Sequence, residues 1–212
     1  MKHPASRELH AYWDRLRGAR AAPDQSRVDP VALSGVLGSL FVIDAVIERG
    51  LPFQLAGTRV CDLFGRELRE RPLLELFAEA DRRSIRDMVA AVVDDAAVAI
   101  AGVEAATEKV EGRIEAEILL LPLRREGPAH RRLIGSLGIL EGGALAEMTF
   151  VRELSLRSLR ILWPSGRRSD FERGPETATA PAAGAAPRAS WLRVLEGGLG
   201  RTLARAQKLT SR

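Results

Sequence analysis

Arg113-Ile114-Glu115-Ala116-Glu117-Ile118-Leu119-Leu120-Leu121-Pro122-Leu123-Arg124 is the stretch that decides the fold. In an extended chain Ile114, Ala116, Ile118 and Leu120 fall on one face, and Glu115, Glu117, Leu119 and Leu121 on the other. The second face starts charged and turns apolar. A sheet with one solvated face keeps its alternation along the whole strand, so something must cover part of this one. The nearest candidate is the segment around Tyr12 and Trp13.

Working outward, residues 98–107 and 131–140 read as two further strands beside 113–124. Upstream, Asp81 is placed to cap a helix over 81–96 whose inner stripe is Ile85, Met88, Val89 and Val92. Before it come short helical pieces: Val60, Leu63 and Phe64 ended by Gly65, then Leu73, Leu74, Leu76 and Phe77. Residues 40–48 and 53–57 form a hairpin around Gly50 and Pro52. Asp29-Pro30 opens a short helix carrying Val31, Leu33, Val36 and Leu37. At the N-terminus Ser6 is the expected cap of a helix with Leu9, Tyr12, Trp13 and Leu16 on one stripe, ended by Gly18 and Pro23. The expected architecture is α+β. A five-stranded antiparallel sheet has helices on one face, an N-terminal flanking helix and a flexible C-terminal extension.

The chain of 212 residues is 46% hydrophobic but only 5% aromatic, so its core must be largely aliphatic. The single cysteine, Cys61, excludes an internal disulfide, and His3, His10 and His130 lack ligand spacing. No apolar run is long enough to span a membrane and no signal-peptide pattern opens the chain, which makes the cytoplasm the expected compartment. The net charge of +4 is unevenly spread: residues 28–143 are net −5, residues 1–27 are +3 and residues 144–212 are +6. Such a division suits an anionic partner for the ends, or simply solvated arginine-rich termini.

The expected organisation is an N-terminal amphipathic helix over 1–26, a main domain over 27–143 and one more strand or helix over 144–168. Residues 173–190 hold seven Ala, three Pro and two Gly in eighteen positions, so 169–189 reads as a disordered linker. Residues 190–212 read as a basic amphipathic tail with Trp191, Leu195, Leu199 and Leu203 on one side. Gly197, Gly198 and Gly200 each cost that helix up to about 1 kcal/mol relative to alanine, so alone it is marginal.

Two strands, several short helices, one longer helix and three strands is the element order of a PAS domain. The local motifs are sharper: Tyr12-Trp13, Val28-Asp29-Pro30, Leu40-Phe41-Val42-Ile43-Asp44, Phe53-Gln54-Leu55-Ala56-Gly57-Thr58 and Leu63-Phe64-Gly65-Arg66-Glu67-Leu68. Over residues 7–140 the chain resembles the PAS_5 family of short, mostly alphaproteobacterial PAS proteins. It departs at Arg69-Glu70-Arg71, where a smaller residue and a glycine are expected. The resemblance implies a stand-alone sensory or regulatory module in a bacterial cell, and it brings no catalytic residues.

Within that frame Cys61, Phe64, Ile85, Met88, Val89, Val92, Ile118 and Leu137 are the candidates for a ligand pocket, with a filled aliphatic core as the alternative. Thr58, Arg59 and Arg66 are polar candidates: Arg66 suits a carboxylate or phosphate, while structurally Thr58 caps a helix and Arg66 ties a loop through carbonyls or Glu67. The expected interaction surface is Tyr12, Trp13 and Trp191. No metal and no cofactor are expected. Cys61 lacks the sequence context of flavin-trapping relatives, and residues 81–96 hold no histidine for haem. Asp94-Asp95 has no partner histidine and no phosphate loop is present, so no enzyme is expected. Three functions remain open: regulation by protein contact or self-association through the N-terminal helix, tuned by a small ligand; a small-molecule sensor or carrier; and action on an anionic membrane surface or nucleic acid through the basic tail.

Overall fold

The computed structural model describes residues 1–107, 114–124, 131–144 and 149–163. The expected linker and tail, with Trp191, lie outside the described residues. The apolar runs form one antiparallel sheet of six strands: β1 Leu40–Asp44, β2 Phe53–Ala56, β3 Val98–Thr107, β4 Ile114–Leu123, β5 Arg132–Glu141 and β6 Val151–Leu162. Their order across the sheet is β2-β1-β5-β4-β3-β6. The expected fifth strand is thus not the last. Within 144–168 the chain adds β6, which pairs with β3 and makes six.

Helix α3, Arg82–Asp94, crosses β3 and β4 on one face. Its stripe of Ile85, Met88, Val89 and Val92 meets Ala99, Ala101 and Val103 of β3 and Ile114, Ala116, Ile118 and Leu120 of β4. The small alanines of β3 let the helix come close. The short helix α2, Thr58–Phe64, adds Val60, Leu63 and Phe64 to this inner core.

The other face is covered by α1, Pro4–Arg17. Ala5, Leu9 and Trp13, spaced four apart, pack with Leu119, Leu121, Val98, Ile100, Leu40 and Ile134 into a second, outer core. Leu119 and Leu121 are fully covered. The helix is capped three residues before the expected Ser6. Pro4 takes the first position, where its missing N–H is no loss, and His3 is the cap, its Nδ1 accepting from the Ala5 N–H at 3.2 Å. Ser6 is buried instead.

Other expected caps also differ. Asp81 stands at the N-cap position of α3 as expected, but its side chain makes no capping bond there and instead accepts the Leu156 N–H of β6 at 2.8 Å. Gly57, not Thr58, is the cap residue of α2. Asp29 does bond forward, taking the Val31 N–H at 2.9 Å, but the helix it opens is only a 3₁₀ turn, Val31–Leu33.

Trp13 donates its indole N–H to the Pro122 carbonyl at 2.8 Å and is 2% exposed, with the Arg17 guanidinium 5.3 Å from its ring centre. Pro122 is tolerated because the β3–β4 pairing ends at Leu120, so no ladder bond from its nitrogen is lost on that side. Tyr12, half-buried, accepts the Asp29 N–H at 2.7 Å. Truncating a buried Trp costs about 3–5 kcal/mol. Trp13→Ala should therefore lower the thermal midpoint by about 10 °C or more in a circular-dichroism melt, and Trp13→Phe should recover most of it.

Candidate functional site

The eight pocket candidates come together. Phe64, Ile85, Met88, Val89, Val92, Ile118 and Leu137 all belong to the inner core, and half-buried Cys61 packs at its margin. They arrive from α2, α3, β4 and β5, so the inner core joins every element between residues 58 and 137 that faces it. Met88 sits in the middle of the α3 stripe, and its unbranched thioether is the most adaptable filler among these side chains.

The Cys61 thiol lies 3.7 Å from Glu67 Oε1 and 3.9 Å from the Ala56 carbonyl. Burial, with the nearby Glu67 and Asp62 charges, pushes that thiol up, away from the reactive thiolate. Glu67 Oε1 also accepts the N–H groups of Leu68 and Arg69 at 2.9 and 3.0 Å. These bonds, led by that from Arg69, hold its carboxyl below the usual range. The loop tie expected of Arg66 is thus made by Glu67 to backbone.

The polar candidates do not converge on the inner core. Thr58, Arg59 and Arg66 are all exposed. The Thr58 and Arg59 side chains pack over Gly38, and the Arg59 charge faces His3. Arg66 follows Gly65, which closes α2 at φ 62°, and its N–H caps the Cys61 carbonyl at 3.2 Å. Among the described residues no group of three or more His, Cys, Asp and Glu side chains is arranged to hold a metal ion.

The most organised polar group lies on the other face, under the start of α1. Glu117 points outward from β4 yet is 3% exposed. Its two carboxylate oxygens accept the Lys2 N–H at 2.7 Å and the His3 N–H at 3.0 Å. The Ser6 hydroxyl bonds it as well, and Ser6 Oγ lies 3.1 Å from Ser136 Oγ on β5. A hydroxyl has one proton to give; Ser6 therefore donates to Glu117 and Ser136 to Ser6. The register puts Gly138 directly opposite Glu117 and Ser136 opposite Leu119. A Cβ at Gly138 would collide with the His3 ring, so β5 forms a trough of small residues in which the first turn of α1 lies.

Burial alone would raise the Glu117 carboxyl, but the Lys2 and His3 N–H groups, the Ser6 hydroxyl and the N-terminal ammonium outweigh it, and the net shift is downward. His3 is likewise lowered from its ordinary 6.5, first by burial and then by the Arg59 and Arg7 charges, against an opposing pull from Glu117. Sequence reading missed Glu117, Ser6, Ser136 and Gly138. The available signal was the pairing of a charged strand face with small residues on the next strand.

A neutral imidazole is needed for Nδ1 to accept from Ala5. Because the folded pKa of His3 is depressed, its contribution is complete above the unfolded value and is lost as pH falls below it. His10, also lowered chiefly by burial, acts in the same direction. The thermal midpoint should fall between about pH 7.5 and about 5.5. His3→Asn, a capping residue that does not titrate, should flatten that fall; an unchanged slope would assign the proton to His10.

Comparison with known proteins follows this geometry. The family model described as PAS_5, a PAS domain, matches residues 1–138, from α1 into β5. Among solved structures the chain is similar to the PAS domain of Bordetella pertussis BvgS, at 15% identity and a TM-score of 0.36, covering 56% of this chain and 88% of that one. No curated protein matches it in sequence. Among the described residues no helix is long and apolar enough to cross a membrane. With well over half its length matched and an antiparallel sheet carrying α3 inside and α1 outside, the chain belongs to the PAS_5 family of PAS domain proteins.

Proposed function

We propose that this PAS protein is a stand-alone sensory regulator of the bacterial cytoplasm that works through protein–protein contact and is tuned by a small apolar molecule in its inner core. What supports this reading is β4, which belongs to both cores at once. Ile118 and Leu120 pack with Met88 inside, while Leu119 and Leu121, the alternate residues, pack with Leu9 and Trp13 outside. Packed interiors transmit displacement because they hold little free volume. A molecule that shifts Met88 therefore presses on the strand that carries α1. The reading assigns no catalytic step and no resident cofactor.

Native mass spectrometry of the full chain as purified tests the tuning. A discrete excess over the polypeptide mass, removed by Met88→Trp, is the expected result. Bare polypeptide in every charge state would leave protein contact alone. Salt-sensitive binding of the full chain to anionic vesicles or duplex DNA, lost on truncation after Arg168, would move the function to the basic tail instead.

A further inference from the structure

We propose that α1 is a separately releasable cover of the sheet, latched by Glu117 and seated by Gly138, and that its release bares the outer apolar strip without unfolding the inner core. Three observations carry this. First, no residue of α1 belongs to the inner core, which α2, α3, the sheet and the segments around Leu51, Leu68 and Leu73–Phe77 build without it; α1 belongs wholly to the outer one. Elements that share no core can open at different free energies.

Second, the start of α1 is held chiefly by directional contacts, since of its first turn only the small Ala5 joins the outer core. Lys2 is exposed and His3 half-buried, and what fixes them is the Glu117 carboxylate, with the Ser6–Ser136 hydroxyl chain behind it. A buried carboxylate that loses its donors is left charged in an apolar setting, so the latch is made or broken as a unit. Third, the His3 ring rests where a Cβ of residue 138 would stand. The fit is steric as well as electrostatic, and either part can be removed alone. Release uncovers Leu40, Ile100, Leu119, Leu121 and Ile134, all now buried. Combined with the regulatory role proposed above, the opening of α1 is the output. The opening itself does not depend on that role, so either statement can fail while the other stands.

Amide hydrogen exchange on the full chain at one pH near neutrality tests it, comparing the wild type with Glu117→Gln and Gly138→Ala. Gln keeps the shape of Glu but presents one neutral acceptor in place of two charged ones. Ala at 138 changes no charge, and alanine is otherwise better tolerated than glycine inside a strand. In both variants the amides of α1 should exchange about tenfold or more faster, while those of α3 keep their wild-type rates. Equal acceleration of α1 and α3 would make α1 part of one cooperative unit and overturn the proposal. Unchanged α1 exchange in both variants would equally overturn it, since neither Glu117 nor Gly138 would then hold the helix. Should Glu117→Gln fail to fold, Gly138→Ala decides, together with the wild type, in which α1 must already open more readily than α3.

Discussion

A central strand buried on both faces cannot carry the plain alternation of a half-solvated one, and β4 is that strand. It lies between β3 and β5, with Ile114 to Leu120 of one phase under α3 and Leu119 and Leu121 of the other under α1. Everything else in the arrangement answers this demand. The alanines of β3 let α3 approach on one side. On the other, Ser136 and Gly138 of β5 let α1 approach, and Trp13 closes the far end by bonding the Pro122 carbonyl.

Satisfying both faces leaves one problem, the carboxylate at position 117 on a face that has become interior. An unpaired charge there would cost several kcal/mol. The chain resolves it by bringing a helix start to the charge. The two N–H groups just ahead of α1 point at Glu117, and the positive end of the helix dipole lies beside it. The same contact that neutralises the charge fixes the position of the helix, so the burial of Glu117 and the docking of α1 are one event.

Much of this was legible in the sequence, and the exceptions have physical causes. The five strands from β1 to β5 are readable as apolar runs bounded by polar turns, and the change of the 113–124 stretch from charged to apolar points to a second cover. The β6 segment reads equally as strand or helix. Leu154 and Leu156 are followed by Leu159 and Ile161, so the repeat slips by one at the bulge opposite Gly102 and Val103, and spacings of two and three fit either element. Ser6 reads as a cap because serine favours that place, whereas Pro4 is the sharper signal. Glu117 was invisible for a deeper reason. A glutamate in a strand reads as solvent-facing, and only the pairing register brings it opposite Gly138 under the N-terminal helix.

The far flank of β6 has one more consequence, for the behaviour of the protein when crowded. Its first half is occupied, with the Leu154 carbonyl taking the Ala78 N–H and the Leu156 N–H given to Asp81. Beyond that, among the described residues, no strand lies on it, and exposed Leu162 and Trp163 stand at its end. Such a border invites chains to join side by side into growing ribbons. Arg160 is exposed along the same stretch, as is Arg157, whose guanidinium is paired with Glu104 of β3 at 2.9 Å. Two borders brought together would have to strip water from guanidinium groups of like charge. The strand thereby carries its own resistance to polymerisation, and a neutral replacement at 160 would weaken solubility before it weakens folding.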